Sequence, residues 1–95
     1  MDNQSTTESK IDDLNARLWH RRYEDSEKST DEASLLLEEA EKLNYEKGIA
    51  YARLNIAAGN FLKSKNDAAL ENLSKALLWF SEYSSEPGYP RALNL

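Results

Sequence analysis

The chain has no cysteine, which excludes disulfides and every cysteine-based metal site. It has one histidine, His20, in Trp19-His20-Arg21-Arg22. Histidine catalysis needs an orienting partner within hydrogen-bond reach, and the sequence offers none. Glycine and proline are scarce, at three and two residues, and no glycine belongs to a phosphate-binding loop. Long apolar runs are missing. The longest, Ala76 to Phe80, is far short of a membrane span, and the opening MDNQSTTES has no signal-peptide stretch. No His/Asp/Glu grouping has ligand spacing beyond what acidic abundance supplies, so no metal or cofactor is expected. Positive charge is in deficit, with a net charge of −5. Such a chain is repelled by phosphate backbones and anionic bilayers, so neither nucleic acid nor membrane is an expected partner. These absences leave a non-enzymatic, cytoplasmic protein as the expectation.

What is present repeats. Leu14-Asn15-Ala16 returns as Leu54-Asn55-Ile56 and Leu93-Asn94-Leu95, at steps of 40 and 39 residues. Between them, Asp31-Glu32-Ala33 with Leu37 and Ala40 returns 36 residues later as Asp67-Ala68-Ala69 with Leu73 and Ala76. Two interleaved echoes at one coarse period mark stacked helical units. Leu14 to Ala33 spans 19 residues and Leu54 to Ala69 spans 15, which places four extra residues in the loop after Tyr23. Loops absorb such differences at about 0.6 kcal/mol per doubling of length.

The periodicity predicts an all-α chain of four helices and the start of a fifth. Residues 1–8 read as a disordered tail, and 9–95 as one domain broken off within a third repeat. Helix one is predicted from Ser9, which has capping-box spacing to Asp12, and helix two from Ser29, spaced likewise to Glu32. Asn44 is placed to end helix two. Helix three is apolar on more than one side, as a middle helix with neighbours on both sides must be. Asn66 or Asp67 is the expected cap of helix four. Pro90 falls in the first turn of the short fifth helix, where its missing N–H does no harm. Ala33, Ala40, Ala69 and Ala76 admit close helix approach, and Leu37 and Leu73 fill the space between.

The segment Ala69-Leu70 through Leu73 to Lys75-Ala76-Leu77 resembles the second helix of the tetratricopeptide repeat family. Lys47-Gly48-Ile49-Ala50 to Leu54-Asn55 resembles the opening of the longer variants found in bacterial signalling proteins. The resemblance covers about residues 10–95. No copy carries the family's full Trp, Leu-Gly and Tyr series, and Arg53 stands where its tryptophan would fall. The resemblance implies antiparallel helical hairpins stacked as a short solenoid whose first helices line a concave groove. It also implies a protein or peptide partner, and a regulatory or sensory N-terminal role in a larger bacterial signalling protein.

On that groove the expected partner-binding residues are Asn15, Asn55 and Asn94, whose amides both donate and accept, with Trp19, Arg22, Tyr51 and Leu62 beside them. The alternative for the asparagines is mutual bonding between helices. Leu78, Trp79 and Tyr83 exceed what one core-facing stripe can hold. They form an interface patch unless the fifth helix covers them. Leu93 and Leu95 would face water, which points either to a homodimer through the C-terminal end or to a parent protein that continues. Two other classes remain open. One is a helical DNA-binding or transcription-associated domain using Arg17, Arg21 and Arg22; the other is a ligand-binding helical bundle. The acidic helix two reads as a solvated face or as a strip for a basic peptide.

Overall fold

The computed structural model describes residues 7–95, so the first six positions of the expected tail lie outside the described residues. Five helices follow in order: α1 (Glu8–His20), α2 (Ser26–Lys42), α3 (Glu46–Leu62), α4 (Asn66–Glu82) and α5 (Gly88–Leu93). There is no strand among the described residues.

Helix starts differ from the expected caps. Thr7, in extended backbone, accepts the Lys10 N–H on its hydroxyl at 3.2 Å and opens α1 two residues ahead of Ser9. Asp25 does the same for α2, accepting the Lys28 N–H at 3.0 Å, so Ser29 lies inside the helix. An acceptor side chain on extended backbone satisfies an orphan first-turn N–H, and the helix extends back to it. The Asp25 cap also relocates the four extra residues. Ala33 follows the start of α2 by seven residues, whereas Ala69 follows the start of α4 by three. Most of the insertion is thus an added first turn of α2 rather than loop. At α4 neither Asn66 nor Asp67 caps. Asn66 is already helical, and the N-cap residue, Lys65, makes no side-chain bond.

Helix ends follow one device used twice. Asn44 sits in the left-handed region at φ 53°, with its N–H on Glu41 O at 3.1 Å and the Tyr45 N–H on Ala40 O at 2.9 Å. Ser64 repeats this at φ 61°, with Ser64 N–H on Phe61 O at 3.0 Å and Lys65 N–H on Asn60 O at 2.8 Å. Both are Schellman closures, which satisfy the last carbonyls and turn the chain at once. Pro90 is the third residue of α5. The first four N–H groups of a helix have no internal partner, so proline costs nothing there.

Helix α3 is the hub. It packs against α1, α2, α4 and α5, while α2 and α4 flank it without approaching each other. Its buried side is nearly its whole circumference, from Ala50 and Ala52 to Leu54, Ile56, Ala57 and Ala58. On one side, Ile11 and Leu18 of α1 and Ala33, Leu36 and Ala40 of α2 close on Ala52 and Ile56. On the other, Ala76 and Phe80 of α4 and Ala92 of α5 close on Ala50 and Leu54. The four repeat alanines, Ala33, Ala40, Ala69 and Ala76, are wholly buried, and Leu37 and Leu73 pack at the core margins. Phe80 is wholly buried and meets the Tyr51 ring edge-on at 5.0 Å. Burial of such a ring contributes about 2–3 kcal/mol. Gly59 lies directly against the Thr30 hydroxyl, which occupies the space a Cβ would need.

Candidate functional site

Helices α1, α3 and α5 border a cleft of about 290 Å³ whose lining includes Asp12, Asn15, Lys47, Tyr51, Glu86 and Arg91. Most of its polar groups already bond one another. Tyr45, the N-cap residue of α3, donates its phenol to both Asp12 oxygens at 2.8 and 2.9 Å. Lys47 Nζ lies 3.8 Å from Asp12 and 3.8 Å from Glu86. The Tyr51 phenol donates to Glu86 at 2.9 Å and accepts the Gly88 N–H at 3.0 Å. One polar chain, Tyr45–Asp12–Lys47–Glu86–Tyr51, thereby ties α1, α3 and the α4–α5 turn together. Burial, then the bond to Asp12, raises the Tyr45 phenol well above its usual range. Burial also pushes Tyr51 up to about 12; its bond to Glu86 adds to this and the Gly88 N–H opposes it. Both phenols therefore stay protonated donors at neutral pH. Tyr45, Asp12, Lys47 and Glu86 carry no site signal in the sequence. Asp12, the Tyr45/Lys47 pair and Glu86 are separated by more than thirty positions each, and no local spacing links them.

The asparagine ladder is not a surface. Asn15 and Asn55 are 3% and 6% exposed. Asn55 Nδ2 donates to the Asn15 carbonyl and to Asn15 Oδ1, both at 3.1 Å, and Asn15 Nδ2 donates to Gly48 O at 3.3 Å. Side chains that recur at equivalent points on adjacent helices face each other, and here each amide serves its neighbour. Asn55 Oδ1 is buried with no hydrogen-bond partner. Turning that amide over would set its oxygen against two acceptors, which fixes the orientation. Asn94 does not add a third rung. It follows the last residue of α5 and is exposed.

The remaining groove residues are mostly engaged. Trp19 packs on the α4–α5 side of the core, with the Arg22 guanidinium 3.8 Å and the Arg91 guanidinium 5.3 Å from its ring centroid. Arg22 also donates to the Trp19 carbonyl at 2.6 Å. Arg21 pairs with Glu32 at 3.3 Å. Leu62 is partly exposed and borders a small cavity with Tyr23, Phe61 and Leu95. Leu93 and Leu95 face solvent, as expected.

The aromatic end of α4 is the part of the expected site that the fold leaves open. Helix α5 does not cover it. Leu78 is 73% exposed, and Tyr83 stacks on Trp79 with ring centroids 4.4 Å apart. Trp79 in turn meets Phe80 edge-on at 5.3 Å, which anchors the pair to the core. Leu78 and Trp79 form one wall of a cleft of about 350 Å³ between α3 and α4, with Ile49, Arg53, Lys75 and Glu82 also lining it. Arg53 is held by Asn72 at 3.1 Å, so one rim of the cleft is fixed. No helix among the described residues is long and apolar enough to cross a membrane. Comparison with protein-family models, with curated proteins and with solved structures finds no match to this chain.

Proposed function

We propose that this chain is a non-enzymatic protein–protein interaction module, a short tetratricopeptide-like stack that docks a partner segment at the α3–α4 cleft. The solenoid reading is supported by the alternation in which α1, α3 and α5 lie side by side while α2 and α4 stay apart. The observation that carries the docking reading is the exposed Leu78 beside the stacked Trp79–Tyr83 pair at the mouth of a cleft. Exposed apolar clusters of this kind mark interaction surfaces, and rigid aromatics lose little entropy when covered. The cleft rim carries both signs of charge, in Arg53, Lys75, Glu46 and Glu82. The matching partner is a segment with apolar anchors and mixed flanking charge. The resemblance to longer bacterial variants supports a regulatory or sensory role in a larger cytoplasmic signalling protein. The DNA-binding alternative has less support, since Arg21 is paired with Glu32 and Arg22 is stacked on Trp19.

Selection of peptides from a random twelve-residue display library against the folded chain tests this reading. Selected peptides are expected to change the fluorescence of Trp79 and to lose binding to Leu78→Glu. Peptides that bind Leu78→Glu as tightly as the parent place the docking surface elsewhere and sink the proposal.

A further inference from the structure

The α3–α4 cleft has its charges sorted to two ends, and only one end is free. Helices α3 and α4 have 17 residues each and are joined through residues 63–65, so the first residue of α3 lies beside the last of α4. Those residues are Glu46 and Glu82, both exposed and both lining the cleft. Arg53 and Lys75 line its other end, and both are already engaged. Arg53 lies 3.9 Å from Glu41, and Lys75 lies 3.3 Å from Glu71. The cations nearest Glu46 in sequence are engaged as well. Lys42 Nζ lies 3.3 Å from Glu39, and Lys47 is held between Asp12 and Glu86 in the polar cleft. Among the described residues, neither Glu46 nor Glu82 has an ion-pair partner. Helix α4 also has no basic residue in its last turn, where the macrodipole favours a cation. Two carboxylates and a helix C-terminus thus leave negative charge uncompensated beside the stacked Trp79–Tyr83 pair.

We propose that this end of the cleft takes an arginine of the partner, next to an apolar side chain that covers Leu78. The site rests on the α3–α4 docking reading and narrows its partner to a basic, apolar segment. Arginine fits because its flat guanidinium pairs with carboxylates and lies on an aromatic face at once, whereas lysine offers a hydrated point charge. Tyr83 is 50% exposed and supplies the aromatic face, and Trp79 beneath it is pinned to Phe80. The surface is therefore in place before the partner arrives. Leu78 and Glu82 are one helical turn apart on α4, about 6 Å. The partner's apolar side chain and its arginine must match that distance, at about two positions in an extended segment or about four in a helix. An acidic segment is disfavoured. It meets Glu46 and Glu82 at this end and finds Arg53 and Lys75 already paired at the other.

Peptides selected from the twelve-residue display library are the probe. They are sequenced and titrated against the parent and three variants, each checked by circular dichroism for retained helix. Arginine is expected to be over-represented, with a large apolar residue about two to four positions away. Glu46→Gln/Glu82→Gln should weaken binding at least about tenfold, and Leu78→Gln should do the same. Glu24→Gln/Glu27→Gln removes the same charge from exposed positions outside the cleft and should stay within about twofold of the parent. Equal weakening by the two charge variants assigns the attraction to the acidic chain as a whole and overturns the proposal. Peptides that need Leu78 but are acidic, or that ignore Glu46→Gln/Glu82→Gln, also overturn it and leave the docking reading standing. Peptides indifferent to Leu78→Gln sink both.

Discussion

Asn15→Ala and Asn55→Ala should differ in cost, although the two amides bond each other. Both ends of the Asn15 amide are used: Nδ2 on Gly48 O and Oδ1 under Asn55 Nδ2. Truncation removes two buried bonds at about 1 kcal/mol each. It also leaves a small void worth about 1 kcal/mol, for a total near 3 kcal/mol. Asn55 also loses two contacts, but its Oδ1 is already buried without a partner. Burial of an unpaired carbonyl costs about 1–3 kcal/mol, and truncation relieves it, so the net loss falls to about 1 kcal/mol. The expected gap of about 2 kcal/mol corresponds to roughly 8–16 °C in melting temperature for a domain of this size. Urea unfolding followed by circular dichroism resolves it. The double variant should cost less than the sum of the singles by about 1 kcal/mol, because the residues touch. Asn94→Ala, at an exposed position, should stay within about 0.5 kcal/mol of the parent. If Asn55→Ala proves as damaging as Asn15→Ala, the Asn55 carbonyl is not a liability and the reasoning fails.

Gly59→Ala sets a methyl group against the Thr30 hydroxyl and should destabilise the chain by about 1–3 kcal/mol. Thr30→Ala in the same chain should recover much of that loss, and the absence of recovery would show that the crowding lies elsewhere. Tyr51→Phe removes the links to Glu86 and Gly88, so amide exchange should accelerate in α5 while the α1–α2 amides keep their protection. Alkaline titration follows from the same phenol. The folded Tyr51 value, about 12, lies above its ordinary 10. Its contribution to stability is whole below pH 10 and is lost as pH rises through about 12. The urea midpoint should therefore fall across that window in the parent and fall less in Tyr51→Phe; equal slopes would refute the assignment.

Much of the fold was legible because packing writes itself at fixed spacing. The two recurring words located α1 to α4, the small residues at Ala33, Ala40, Ala69 and Ala76 marked close contacts, and the two-sided pattern of α3 marked the hub. Asn44 was legible as a helix end because asparagine tolerates the left-handed region. Ser64 makes the same closure, but serine carries no such signal. Caps were legible only in kind. Ser9 and Ser29 have the right spacing in a polar stretch, yet Thr7 and Asp25 win by having acceptor side chains on extended backbone. The site was read less well. Equivalence of Asn15 and Asn55 was visible at their step of 40 residues, but sequence does not say whether equivalent side chains face water or each other. The polar chain through Lys47 joins residues far apart in sequence and leaves no periodic trace. The surplus of apolar residues at Leu78, Trp79 and Tyr83 was readable by counting against one stripe, and that surplus is where the fold remains open.

Helix α3 has a further consequence. It holds the α1–α2 core on one side and the α4–α5 core on the other, and its buried alanines and Gly59 leave little room for one side to shift alone. Loss of α3 packing should therefore release both halves together, so circular dichroism and tryptophan fluorescence should report one coincident urea transition.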